Sequence, residues 1–449
     1  MNQEAMALLE EKKFPQLCRI LKEMNPADLA ALFAEFPEEY LPIIYRILPK
    51  ELAAETFVCM DADLQEVLIT AFSDKELREV LDEMYMDDTV DVIEEMPSNV
   101  VARILKNSNP ADRRTINELL KYPSDSAGSI MTTEYVYLKK DMTVRDAFAR
   151  IRKIGPDKET IYTCYVTDAS RKLVGVVTVK DLLLAEQESV INDIMETNVI
   201  YVSTLEDKET AARLFDKYDL LAVPVVDQEQ RLVGIITVDD AMDVLREENT
   251  EDILKMSAVT PTDDTYLKTS VFKHAKNRIV WLLILMVSAT ITGAIITKYE
   301  AAFTSIPLLI AFLPMLMDTG GNSGSQSSTT IIRGLALEEI KPRDFFRVLF
   351  KEVSVALMVG AVLAIVNTAR VLITYPHDPI KYQLALVTGM ALMCAVLIAK
   401  TLGCCLPMLA QKLKIDPALM AAPLMTTIVD AGTVLVYFSI ATAVMHLTL

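Results

Sequence analysis

From Ile279 to Thr297 the chain reads IVWLLILMVSATITGAIIT, nineteen residues without a charge. As a helix at about 1.5 Å per residue this run is about 28 Å long, the thickness of a bilayer's hydrocarbon core. Further apolar stretches cover approximately Ile306–Ile332, Val353–Tyr375, Leu384–Leu409 and Ala421–Leu447, so five membrane spans are expected. An odd number places the termini on opposite sides. Basic residues flank alternate ends: Lys273, Lys276 and Arg278 before the first stretch, Arg333 to Lys351 after the second, Lys412 and Lys414 after the fourth. By the positive-inside rule the N-terminal part is cytosolic and the C-terminus extracytosolic. The N-terminus, MNQEAMALLEEKKF, lacks the pattern of a secretory signal, so the first span is expected to direct the chain to the plasma membrane.

Charge divides the sequence at the same place. Residues 1–272 hold 30 Lys and Arg against 53 Asp and Glu, a net of −23, whereas residues 273–449 hold 14 against 9, a net of +5. An acidic half of this size repels nucleic acid and anionic lipid surfaces, and its natural ligands are cations. Six cysteines without a CxxC spacing read as reduced thiols.

Two carboxylates fall at or near membrane depth. Asp430 lies in LMTTIVDAGTVLVYF, beside Thr426, Thr427, Gly432 and Thr433, a small polar helix face suited to lining water. The competing reading is a structural acid neutralised by Lys400 or by protonation. Asp318 fits a pore role and a structural role equally. The polar run after it, TGGNSGSQSSTT, is tolerated at that depth only against protein or a water-filled path, and with Pro314 upstream it predicts a kinked or broken helix.

PMLMDTGGNSGSQSSTTIIRGLA and, further on, IDPALMAAPLMTTIVDAGTVLVYF resemble the two pore-domain signatures of the MgtE family of magnesium channels and transporters, in the same order. The resemblance implies a homodimer in membrane lipid, with Asp430 of both subunits holding a largely hydrated Mg²⁺. Magnesium suits such a site because it sheds water reluctantly and is bound by one or two carboxylates rather than a full protein cage. Some members carry a polar side chain eight residues before this aspartate, where this chain has Ala422.

Residues 131–245 repeat themselves. Ile130-Met131-Thr132 recurs as Ile194-Met195-Glu196, and LVGVVTVKD at 173–181 recurs as LVGIITVDD at 232–240. The offset falls from 64 to 59 residues, which places five extra residues in the first copy, around Gly155 to Lys158. Each copy reads helix, strand, strand, helix, and the pair resembles tandem CBS domains. Such pairs often bind adenine nucleotides such as ATP, and Thr178, Asp181, Thr237 and Asp240 supply hydroxyls and carboxylates for one. The same residues serve equally as caps of the helices that follow.

Residues 1–125 read as short amphipathic helices punctuated by proline, with Asn25-Pro26, Phe36-Pro37, Leu48-Pro49, Met96-Pro97 and Asn109-Pro110 marking starts. A helical superhelix is the expected fold. The organisation is therefore a helical acidic domain over 1–127, an α/β CBS pair over 128–245, a connecting plug helix over 246–278 capped by Thr250, and an all-α five-span domain over 279–449.

The resemblance further implies regulatory magnesium among the cytosolic parts: Glu55, Asp87 and Asp91 in the first domain, Glu209, Asp219, Asp240 and Asp243 in the second, Glu251 and Asp252 in the plug, and Asp416 near the pore mouth. The implied function is a magnesium-selective channel or transporter closed by intracellular magnesium. The alternative is a proton- or ion-coupled divalent-cation carrier with nucleotide regulation through the CBS pair. An anion channel would need cationic residues along the pore. An enzyme is not expected: with His274, His377 and His446 as the only histidines there is no HExxH, and no G-x-S-x-G or P-loop occurs in place.

Overall fold

A computed structural model describes residues 2–262, 266–267, 269–300, 306–420 and 422–446. The chain forms two compact units, residues 1–246 and 247–449. Leu447, residues 263–265 and 268 of the expected plug segment, and the side chain of Ala422 lie outside what is described.

In the first unit, α-helices follow one another from α1 (Asn2–Glu10) to α10 (Pro110–Leu119). Asn25 and Asn109 cap their helices by accepting the amides of Ala27 and Ala111, with Pro26 and Pro110 in the first helical turn, where a missing N–H costs nothing. Pro49 and Pro97 instead occupy the cap position itself, since proline's fixed φ matches the extended backbone found there. The apolar faces meet around Leu17, Leu29, Phe33 and Phe57, and the same cluster continues into Val223 and Ile236 of the second CBS copy.

Each CBS copy begins with a strand absent from the expected pattern. The first holds β1 (Tyr135–Lys139), α11 (Val144–Ile154), β2 (Thr160–Thr167), β3 (Leu173–Thr178) and α12 (Val179–Leu184). After α13 (Ile191–Ile194), the second holds β4 (Val202–Ser203), α14 (Lys208–Tyr218), β5 (Ala222–Val226), β6 (Leu232–Thr237) and α15 (Val238–Met256). In both sheets the first strand runs parallel to the second and the second antiparallel to the third. The first strands escape sequence reading because one is only two residues long and the other pairs across a helix, without a hairpin turn to announce it.

The repeated segments cross over between copies. Val176 bridges Glu196, and Ile235 bridges Thr132. A Cβ on Gly175 would stand 2.7 Å from Met195 Sδ, and one on Gly234 2.7 Å from Met131 Sδ. The I-M motif of each copy thus packs on the glycine of the other copy's last strand, tying the two copies together. Val136, Leu138 and Val166 are fully buried in the first copy, each contributing about 1.5–3 kcal/mol.

α15 runs unbroken through Thr250, which lies inside the helix and not at its start, and ends at Met256; the plug expected as one helix over 246–278 is thus the tail of α15 and, from Val271, the start of the next helix. Five further α-helices are described in the second unit: α16 (Val271–Lys298), α17 (Leu313–Ala336), α18 (Phe345–Thr374), α19 (Lys381–Lys412) and α20 (Ala422–Met445). Four of them, α16, α18, α19 and α20, are long and apolar enough to cross a membrane. α17 falls short of that apolarity because of its run of glycine, serine and threonine. It is one continuous helix through TGGNSGSQSS, not the broken one expected, with Pro314 in its first turn after a 3₁₀ segment at Pro307–Phe312. Close packing replaces side-chain bulk: a Cβ on Gly321 would lie 2.8 Å from Thr426 Cγ2, and one on Gly403 2.6 Å from the carbonyl oxygen of Gly324.

Candidate functional site

Two groups of side chains carry the chemistry, one in each unit. In the second, α20 presents Asp430 half-buried, with Thr426 and Thr427 a turn before it and Thr433 a turn after. The hydroxyls of Thr426 and Thr427 both donate to the carbonyl of Pro423, while the buried one of Thr433 meets no hydrogen-bond partner among the described residues. Asp318, exposed on α17, is close enough for its charge to act on Asp430. Two acids within electrostatic reach of one another on helices packed at glycine are a setting for a divalent cation.

Lys400 is not the counter-charge of Asp430. It is buried on α19, with Nζ 3.1 Å from Ser327 Oγ of α17 and 3.9 Å from Glu352 Oε2 of α18, and Ser327 donates to the same carboxylate. Sequence reading passed over Glu352 because it sits at the edge of an apolar run, next to a lysine that appears to explain it.

In the first unit, a cleft of about 230 Å³ is lined by seven acids: Glu55 from α5 (Lys50–Val58), Glu83, Asp87 and Asp88 around the start of α8 (Met86–Glu95), Glu159, and Asp239 and Asp240 at the start of α15. No Lys or Arg is among its described lining residues. Acids in the first turns of α8 and α15 are favoured by the helix dipoles, and Glu134 adds another by accepting the Met86 amide at 2.9 Å. Asp87 is 6 % exposed, and one oxygen of Glu159 is buried without a partner.

Crowding like charges in a partly dry space raises carboxyl pKa values. Asp87 is held well above the usual range by burial and then by the charge of Asp240. Asp88 and Glu159 are pushed up to about 7 and about 8, by burial first and then by neighbouring acids. Asp240 rises to about 6, burial outweighing its hydrogen bond from Thr237. Asp91 moves in the same direction, by desolvation and then by the charge of Asp240, although its side chain is exposed and does not line the cleft.

Of the residues expected to hold magnesium, the cleft gathers Glu55, Asp87 and Asp240, with Asp91 outside its lining, and adds Glu83, Asp88, Glu159 and Asp239. The acid doublets at 87–88 and 239–240, and the insertion just before Glu159, were the available signals. In the same unit Glu209, Asp219 and Asp243 are not among the residues that line this cleft. Glu209 pairs with Arg213 and Asp243 with Arg246, each on its own helix. Asp219 is the left-handed C-cap of α14, with φ 52°. Glu251 and Asp416 share Lys255, and Asp252 lies half-buried on α15. Among the described residues no three His, Cys, Asp or Glu converge as a tight ligand set. Thr178 and Asp181 form a reciprocal capping box on α12, the helix-capping role, and Thr237 donates to Asp240 at 2.7 Å.

The family profile described as "Divalent cation transporter" matches residues 313–440, that of the MgtE intracellular N domain residues 4–125, and that of the CBS domain residues 127–188 and 191–247. The magnesium transporter MgtE of Thermus thermophilus is 36% identical over 96% of both chains. That of Bacillus subtilis is 33% identical, over 98% of this chain and 96% of its own. Among solved structures, the cytosolic domain of the Mg²⁺ channel MgtE in complex with ATP is 36% identical with a TM-score of 0.52, covering 54% of this chain and all of that one. The chain therefore belongs to the MgtE family, multi-pass membrane proteins that transport magnesium and are not enzymes.

Proposed function

We propose that this magnesium transporter is a homodimer of the plasma membrane, its N-terminal half cytosolic and its C-terminus outside, and that cytosolic Mg²⁺ closes it through the acidic cleft. The observation that carries this reading is the cleft itself: seven carboxylates brought together without a basic residue. Their repulsion opposes packing of α5 and α8 against the CBS pair until a divalent ion offsets it. Weak binding by a hydrated ion suits a sensor that must release its ligand near the free cytosolic level, roughly millimolar. Glu55, Asp87, Asp91 and Asp240, with Asp88, Asp239 and Glu159, are the sensor residues of this proposal.

Passage of the ion is assigned to the face of α20 around Asp430, with Asp318 opposite. The span set is α16 to α20, with α17 crossing as the polar helix enclosed by the others. Replacing Asp430 by Ala should lower uptake at least ten-fold in a magnesium-dependent strain while the protein still folds and assembles. Uptake unchanged in that variant would remove Asp430 from the pathway.

ATP is a second ligand of the proposal, because a 36%-identical cytosolic domain was crystallised with it. Thr178 and Asp181 in the first copy and Thr237 and Asp240 in the second are its contact candidates, each hydroxyl donating to the carboxylate of its own copy. A rise in melting temperature of the full-length protein with millimolar ATP tests this, and no shift would discard it.

A further inference from the structure

The tail of α15 and the turn before α20 meet at a single ammonium group. Lys255 Nζ lies 2.6 Å from Glu251 Oε1, one helical turn back, and 2.7 Å from Asp416 Oδ2. The other oxygen of Asp416 accepts the Ala418 amide at 2.8 Å, capping the 3₁₀ turn Pro417–Met420. Both oxygens of Asp416 are therefore engaged. That turn is fixed in place by Ser328 of α17, whose hydroxyl donates to the Met420 carbonyl at 2.9 Å, and it leads directly into the helix that bears Asp430. On the other side α15 stops just beyond the lysine. Ala258 takes a left-handed conformation with φ 54°, and the Val259 amide returns to the Leu254 carbonyl at 2.9 Å. The lysine thus stands in the last turn of a finished helix, where a cation is favoured.

We infer that Lys255 is the resident cation of this junction: its ammonium holds Glu251 and Asp416 together, and the contact between the end of α15 and the turn before α20 needs no divalent ion. Glu251 and Asp416 do not present a free ligand pair to magnesium here, because an ammonium of the chain's own stands between them. The three side chains are 25 to 39% exposed, so the bond's worth is geometric more than energetic. It pins a helix end to the entrance of α20. Magnesium sensing is left to carboxylates that lack such a partner.

Hydrogen exchange on the full-length protein in nanodiscs, read at the amides of residues 252–260 and 418 in EDTA and in 10 mM Mg²⁺, tests this. Wild type should be equally protected in both. Lys255→Met leaves two acids facing each other: protection should fall at least ten-fold in EDTA and return in Mg²⁺, which would then bridge them. Lys255→Met with Asp416→Asn should not regain it. Lys255→Arg should behave as wild type, separating loss of charge from loss of fold. Wild-type protection that appears only with Mg²⁺, or a Lys255→Met variant indistinguishable from wild type in EDTA, would overturn the assignment. The comparison in EDTA is read with no divalent ion bound, so it stands or falls apart from the role of the acidic cleft.

Discussion

Asp430 and Lys400 show how far one residue can be understood from its neighbours in sequence. The threonines around Asp430 made it a candidate ion contact, and in the fold it stays half-buried with Asp318 as its charged neighbour. Asp430→Asn should retain part of the transport that Asp430→Ala loses, since an amide still accepts hydrogen bonds from the water of a hydrated ion; partial growth rescue at raised external magnesium measures it. The competing reading made Lys400 a partner for Asp430, and the fold gives it to Glu352 and Ser327. Its real partner lies on another helix 48 positions away, a distance over which sequence carries no contact information. Removing either charge of this buried pair should destabilise the bundle by about 3–5 kcal/mol, while Lys400→Met with Glu352→Gln should cost less than either alone. Thermal unfolding in detergent provides the comparison, and additive losses would mean that the two are not coupled.

At the scale of elements, α17 differs most from its sequence reading. A run of glycine and serine after a proline looks like a break, because in water those residues favour turns. Here they are helical because small side chains allow α19 and α20 to approach at van der Waals distance, a tertiary gain that outweighs poor intrinsic propensity. Gly321→Val should therefore cost about 1–3 kcal/mol and lower uptake by misplacing Thr426, whereas Gly293→Val on α16, where a Cβ meets nothing within 4 Å, should be close to neutral. Parallel measurement of melting temperature and uptake distinguishes them. The CBS repeat was legible almost residue by residue because its motif recurs, but the exchange of I-M segments between copies was not, since a repeat says that two units are alike and nothing about how they pair. Likewise Thr250 looked like a cap on composition, and the continuing helix left it in the interior.

For the whole molecule, the excess of acid in residues 1–272 was plain in the sequence, while its gathering in one cleft depended on three-dimensional packing of α5, α8, α15 and Glu159. The raised pKa values give this packing a pH dependence. With folded values of about 6 to 8 against roughly 4 for exposed acids, the closed cleft binds more protons than the open one. Its packing is therefore fully favoured below about pH 4 and weakens as pH rises through 6 to 8. Magnesium binding should reverse this by displacing protons, on the order of one per cleft at pH 7, visible as calorimetric heats that depend on the buffer's ionisation enthalpy. Heats independent of buffer would show that the cleft acids are already ionised. The central claim, closure by cytosolic magnesium at this cleft, is tested most directly by inside-out patches bearing the reconstituted protein, with bath Mg²⁺ raised from about 0.1 to about 10 mM around the roughly millimolar set point. Open probability should fall steeply in the wild type and stay high when Asp87, Asp240 and Glu159 are replaced by their amides. Wild-type currents indifferent to bath magnesium, or a neutralised cleft that still closes over the same range, would contradict it.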